Sequence, residues 1–216
     1  MPMTLHDANS TPADPCSGRC LITFDDGLQS VYKYAFPSLE EFGFCSTIFC
    51  ISGFYGKKSS WDIYSNNMHL NKSQIRHLSE KGHEIGSHTK SHAYLPFLNN
   101  KSIYSELFDS RSELEDITGC PVTSCSFPYG GWTPDIWKIA QDAGYSAATL
   151  YRNHSQATTG LFPVLGVQRF DSTNDIISKL TTKTTFSILR ARSNLMAHFA
   201  KGTPMWKFRK EYLPNE

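Results

Sequence analysis

An α/β fold, with parallel strands joined by crossover helices, is what the sequence predicts, on three observations. Short apolar β runs alternate with stretches of helical spacing along most of the chain. Polar residues suited to chemistry fall just past several of those runs, where an α/β sheet gathers them on one side. The 216 residues, 39% apolar and 19% charged, supply the core of one domain with at most a small appendage.

Taken in order, residues 1–19 lack both a basic start and an apolar stretch of about 7–15 residues, so they read as a loose lead-in and not as a secretory signal. Residues 20–24 (CLITF) form a buried strand that ends at the turn Asp25-Asp26-Gly27. Over residues 28–42, Leu28, Val31, Tyr32, Ala35, Phe36, Leu39 and Phe42 recur at helical spacing, and Pro37 predicts a kink or two pieces. Residues 44–51 (FCSTIFCI) are a second buried strand, and 53–67 an inserted polar and aromatic loop. A short helix over 72–81 stops at Gly82. A brief strand over 83–87 follows, then a long amphipathic helix over 101–118 that stops at Gly119. Residues 122–127 are a strand running into Pro128-Tyr129-Gly130-Gly131. Pro134 opens a helix over 134–143. Strands over 145–150 and 164–170 and a last helix over 186–200 complete the pattern.

Composition excludes some classes. No apolar run approaches the ~18–20 residues of a membrane span. A net charge of +1 argues against a general nucleic-acid binder. The charge is uneven: residues 179–216 carry a net +6 and residues 1–178 a net −5. The basic end interleaves Trp206 and Phe208 with Lys207, Arg209 and Lys210, and reads as an ordinary solvated end or a weak contact with anionic lipid. Six cysteines form no CxxC pair, and Cys45, Cys50 and Cys125 sit in apolar runs as small buried hydrophobes. With no export signal, a reducing cytoplasm is the expected compartment.

The chemistry lies at the strand ends. His88 and His92 are four apart, a spacing that lets two imidazoles share a metal. Asp25 and Asp26 are adjacent carboxylates that repel each other unless a cation or hydrogen bonds hold them. Two His nitrogens and one carboxylate oxygen make the three-ligand set of a catalytic zinc site, and the other aspartate is left as a base. His83 and Glu84 read as structural. The flat rings of Trp61, His69 and Trp132 are candidates to line a binding groove.

Thr23-Phe24-Asp25-Asp26-Gly27 followed by His88-Thr89-Lys90-Ser91-His92 resembles the polysaccharide deacetylases, the NodB-homology proteins of carbohydrate esterase family four, whose first two motifs are TFDDG and H[ST]xxH. Ser126-Phe127-Pro128-Tyr129-Gly130 is similar to the third, RxPYG. The resemblance covers roughly residues 20–171. It implies a distorted (β/α) barrel of about seven parallel strands and metal-dependent removal of acetyl groups from N-acetylated sugars; with no export signal read in the sequence, the expected work is on a precursor, for example in surface-polysaccharide synthesis. It implies Asp25 as general base; Asp26, His88 and His92 as ligands of a divalent metal, expected to be zinc; Thr89 as a brace behind them; and the main-chain N–H of Tyr129 as an oxyanion donor. Pro128, Tyr129 and Trp132 would meet the substrate. The domain plan is a lead-in over 1–19, the barrel over 20–178 and a basic helical segment over 179–216.

Two departures stand out. Ser126 occupies the place of the family's arginine, which holds the catalytic aspartate. Arg169, at the end of the 164–170 strand, is the expected replacement, ahead of Arg152. The late LxH motif is not visible, since Leu195-Met196-Ala197-His198 has one residue too many; the general acid is then His154, or water on the metal delivering its proton through Asp25. Alternatives to an N-deacetylase are a catalytically silent glycan-binding barrel and an O-acetyl esterase with the same site.

Overall fold

A computed structural model describes residues 2–10, 20–59, 67–151, 159–167 and 171–181. Contacts divide them into two units, with boundaries between Leu150 and Tyr151 and between Phe162 and Pro163.

In the first unit, β1 (Pro2–Met3) and helix α1 (Leu5–Ser10) precede β2 (Cys20–Leu21) and β3 (Thr23–Phe24). The predicted 20–24 strand is thus two short strands. β2 pairs in parallel with β1 in a two-stranded sheet, while β3 pairs in parallel with β4 (Thr47–Cys50). The 28–42 helix is also two pieces: a π-helical turn, Val31–Ala35, runs into α2 (Phe36–Glu41) with Pro37 in its first turn. Pro37 offers no N–H to a continuous helix, so the break falls where the ring demands it. Helix α3 (Lys72–Glu80) opens on a capping box, Asn71 with Gln74, and leads to β5 (Glu84–Ser87). Helix α4 (Asn100–Thr118) is capped by Asn99 and ends at left-handed Gly119 (φ 69). Then come β6 (Ser124–Ser126), α5 (Pro134–Asp142) and β7 (Ala147–Tyr151), whose last residue belongs to the second unit. β8 (Leu161–Val164) begins in the first unit and passes into the second, which holds helix α6 (Thr173–Thr181).

The large sheet runs β3-β4-β5-β6-β7-β8, six strands among the described residues against the seven or so expected. The pairs from β3 to β7 are parallel: Phe24 faces Ile48, Ser87 faces Cys125, and Ser126 faces Thr149. The carboxyl ends of β3, β5 and β6 therefore lie on one side, and Asp25, His88 and Phe127 follow them directly. Ile48, Ile75, Leu78, Leu107, Leu114 and Trp137 fill the space between sheet and helices. Cys50 and Cys125 are buried as expected, and Cys45 is half-buried.

Two expectations are corrected. The strand placed at 164–170 lies at Leu161–Val164 instead, with residues 165–167 irregular and 168–170 outside the described residues. The lead-in is not loose over residues 2–10: Leu5 is fully buried against Phe49 and Ala147. Its N–H donates to Thr47 Oγ1 at 2.9 Å, and the His6 N–H donates to Glu84 at 2.9 Å. Glu84 also accepts from Thr47 Oγ1 at 2.8 Å and Ser124 Oγ at 2.6 Å, so one carboxylate joins the starts of β4, β5 and β6 to α1.

Candidate metal centre

Among the described residues, every non-glycine with positive φ belongs to one place: Asp26 (66), Thr89 (64), His92 (60) and Tyr129 (58). Each costs about 1–2 kcal/mol in this conformation, and Thr89 is β-branched as well. Strain of this kind persists where the surroundings over-determine it, and such places are commonly functional. Gly27 (φ 59) follows Asp26 for a further reason: a Cβ there would come within 2.9 Å of Cys50 Sγ.

These turns bring three ligating groups together. Asp26 Oδ1 lies 3.4 Å from His88 Nε2 and 3.2 Å from His92 Nε2, and all three atoms fall within 4.8 Å of one another. Both histidines are buried, whereas a third of the Asp26 side-chain surface stays open. The His88 Nδ1 is 2.8 Å from the Ser126 carbonyl. That bond places the proton on Nδ1 and turns the Nε2 lone pair toward Asp26, the arrangement seen behind metal-bound histidines. The Nε2 atoms of His88 and His92 and a carboxylate oxygen of Asp26, with one side open, fit a divalent cation of the zinc type. Thr89 stands behind them: its Oγ1 accepts from the His92 N–H at 3.1 Å, and its own N–H donates to Ser87 Oγ at 3.2 Å.

The two aspartates are tuned apart. Burial works to raise the Asp26 pKa, but the hydrogen bond from His92 and the charges of His92, His88 and His69 outweigh it and hold the group at about 2. Burial raises Asp25, helped by the charge of Asp26 and opposed by His88 and a hydrogen bond from the Ser126 side chain. Asp25 keeps solvent-exposed surface at its strand end, so the rise is tempered by water. A carboxylate with a raised pKa beside one locked in its anionic form is the division of labour of a base and a ligand.

His69 does not line a groove. It is buried, and its Nδ1 lies 2.7 Å from the main-chain carbonyl of Asp26. The backbone around it pins the same turn, with Leu70 N–H to the Gly27 carbonyl at 2.8 Å and Gln29 N–H to the Met68 carbonyl at 2.7 Å. Tyr129 sits at the site, its ring centroid 4.7 Å from that of His92. Pro128 is buried in the turn and has little surface for a substrate. Trp132 is half-buried against the core. His83 is buried with Nδ1 2.9 Å from Ser46 Oγ, in the structural part expected of it. Trp61, Arg152, His154, Arg169, His198 and the basic end lie outside the described residues. The part played by His69 carried no sequence signal, because its partner is a carbonyl 43 residues away.

The polysaccharide deacetylase profile matches residues 13–148. The chain is 32% identical over 134 residues to the "Putative polysaccharide deacetylase YxkH" of Bacillus subtilis, covering 62% of this chain and 44% of that protein. It is 28% identical over 126 residues to a peptidoglycan-N-acetylglucosamine deacetylase of Bacillus cereus, covering 57% of this chain and 52% of that one. The match thus spans about half the length of these relatives. Among solved structures, the Streptococcus pyogenes deacetylase PplD in complex with acetate superposes with a TM-score of 0.70 at 17% identity, over 84% of this chain and 80% of that one. IcaB from Ammonifex degensii does so at 0.67 and 22% identity, over 83% and 82%. At these identities the likeness is one of fold, and it identifies the sheet and its helices as the distorted (β/α) barrel of this class. On the profile match and the motifs at its strand ends, the chain belongs to the polysaccharide deacetylase family.

Proposed function

We propose that the chain removes the acetyl group from an N-acetylated sugar of a glycan, with a divalent cation, zinc, held by Asp26, His88 and His92. The observation that carries this reading is the convergence of those three ligating atoms beside Asp25. When bound, such a cation supplies a Lewis acid that lowers the pKa of water and polarises a carbonyl oxygen. Asp25 takes the proton of the attacking water, and its raised pKa makes it a stronger base than an ordinary aspartate. Ser126 orients that carboxylate, and Arg169 is its proposed cationic partner. The main-chain N–H of Tyr129 stabilises the oxyanion of the tetrahedral intermediate. The Tyr129 and Trp132 rings offer faces to the sugar, and His154 returns a proton to the leaving amine. The B. cereus relative, by its name, acts on an N-acetylated sugar, which supports the substrate class.

Acetate release from a panel of N- and O-acetylated sugars, with and without chelator, tests the reading alongside metal analysis. The expected result is chelator-sensitive release from N-acetyl sugars and one metal per chain. His92→Ala should lower metal affinity at least about tenfold. Undiminished metal in that variant, or full activity in chelator, would overturn the assignment. Release from O-acetyl sugars alone would make the chain an esterase.

A further inference from the structure

His88 and His92 are joined by Thr89, Lys90 and Ser91, which adopt no regular structure. Two residues of this loop, Thr89 and His92, are left-handed (φ 64 and 60), a geometry uncommon outside glycine and an outlier for β-branched Thr89. Something must hold the loop so that both Nε2 atoms face Asp26. On one side the Ser52 and Gly53 N–H groups donate to the Thr89 and Lys90 carbonyls at 3.2 and 2.8 Å. Gly53 has to be glycine here, because a Cβ would come within 2.6 Å of the Lys90 carbonyl oxygen.

The other side is held by one carboxylate. Glu106, half-buried on α4, accepts the Lys90 N–H at 3.0 Å and the Ser91 N–H at 2.8 Å on Oε2, and the Ser91 hydroxyl at 2.6 Å on Oε1. The Lys90 N–H is shared with the main-chain carbonyl of Glu106 at 3.1 Å. Both carboxylate oxygens are thus committed to the residues between the two histidines, and charge-assisted bonds of this kind are the stronger ones. The Lys90 side chain turns outward instead, to Asp109 at 3.2 Å and Glu113 at 3.1 Å.

We infer that Glu106 is a positioning residue of the metal centre, presetting His88 and His92 by clamping the loop between them. It touches no ligating atom, and it acts through the Ser91 and Lys90 backbone. The inference rests on the metal reading proposed above.

The test measures Zn²⁺ affinity by chelator competition on metal-stripped protein, together with the visible absorption bands of the Co²⁺-loaded form. Glu106→Ala should weaken Zn²⁺ binding by about 10–100-fold and alter the Co²⁺ bands, the range for groups that support ligands from behind. Glu106→Gln should restore most of the affinity, since its carbonyl oxygen accepts both N–H groups and its amide donates to the Ser91 hydroxyl. Lys90→Met, which keeps its main-chain N–H, should bind Zn²⁺ like the parent. If Glu106→Ala does not fold, Ser91→Ala removes the shortest of the three bonds alone and should weaken binding in the same direction. Parent-like Zn²⁺ affinity in Glu106→Ala, or in Ser91→Ala where the former is insoluble, would overturn the role of Glu106 and leave the metal site standing. So would a glutamine variant as impaired as the alanine one. A parent that takes up no Zn²⁺ would overturn the site itself, and this inference with it.

Discussion

Replacing Tyr129 in parallel by glycine and by alanine isolates the strain at this position from everything else the side chain does. Both variants lose the ring, and with it the contacts to His92 at 4.7 Å and Tyr94 at 6.5 Å between centroids. They differ by one methyl group and in what the backbone tolerates. At φ 58 and ψ 17 an alanine Cβ crowds the following carbonyl oxygen, at a cost of about 1–2 kcal/mol that glycine escapes. The freer unfolded chain of the glycine variant takes back about 0.4–1 kcal/mol. The balance favours Tyr129→Gly by about 0.5–1 kcal/mol. At an ordinary helix or strand position alanine would be ahead by about the same amount, so the sign is the test. Urea unfolding of the metal-free variants, compared at equal slopes, measures it. Turnover should rank in the same order, because alanine draws residue 129 out of the left-handed region and turns its N–H with it. An alanine variant at least as stable as the glycine one would refute the strain, and equal turnover would refute its link to the oxyanion.

Asp25→Asn should keep its metal and lose about 10²–10⁴-fold in turnover, the usual share of a general base, as steady-state rates beside metal analysis will show; parent-like turnover would put the base elsewhere. The same variant should be more stable than the parent at neutral pH when metal-free. The raised folded-state pKa means that the native protein binds the proton more tightly than the unfolded chain, so the parent loses stability as pH rises through that window and the amide does not. Ser126→Ala removes a donor that lowers the Asp25 pKa, so the acid limb of kcat/KM should move to higher pH, and an unmoved limb would dissociate Ser126 from the base. Leu5→Ala should cost about 2–5 kcal/mol in unfolding free energy, as for a fully buried leucine, and a loss below about 1 kcal/mol would mean that the first helix is not anchored.

Much of the barrel is legible in the sequence because its signals are local. Asn71 and Asn99 cap the helices they precede, Gly119 stops α4, and apolar periodicity marks the faces in between. The candidate site is legible in part for the same reason, since Asp25, Asp26 and His88 fall within two residues of a strand's end. What escapes is set at long range. The 20–24 run divides because Cys20 and Leu21 pair with Pro2 and Met3, whereas Thr23 and Phe24 pair with Thr47 and Ile48. That the Ser126 side chain bears on the Asp25 pKa shows only in the fold. His69 and Glu106 meet their partners only through tertiary structure, and neither position has a pattern that distinguishes it from an ordinary loop or helix residue.

The anchoring of α1 bears on how the chain comes off the ribosome. Leu5, His6 and Asn9 precede their partners Thr47, Glu84 and Ser146 by 42, 78 and 137 positions. Segments synthesised earlier tend to organise earlier, but α1 must wait for the starts of β4 and β5 before it can dock. Until then Leu5 stays exposed on the nascent chain. Closing such long loops is slow relative to local folding, so α1 should be among the last segments to gain protection in pulse-labelled amide exchange.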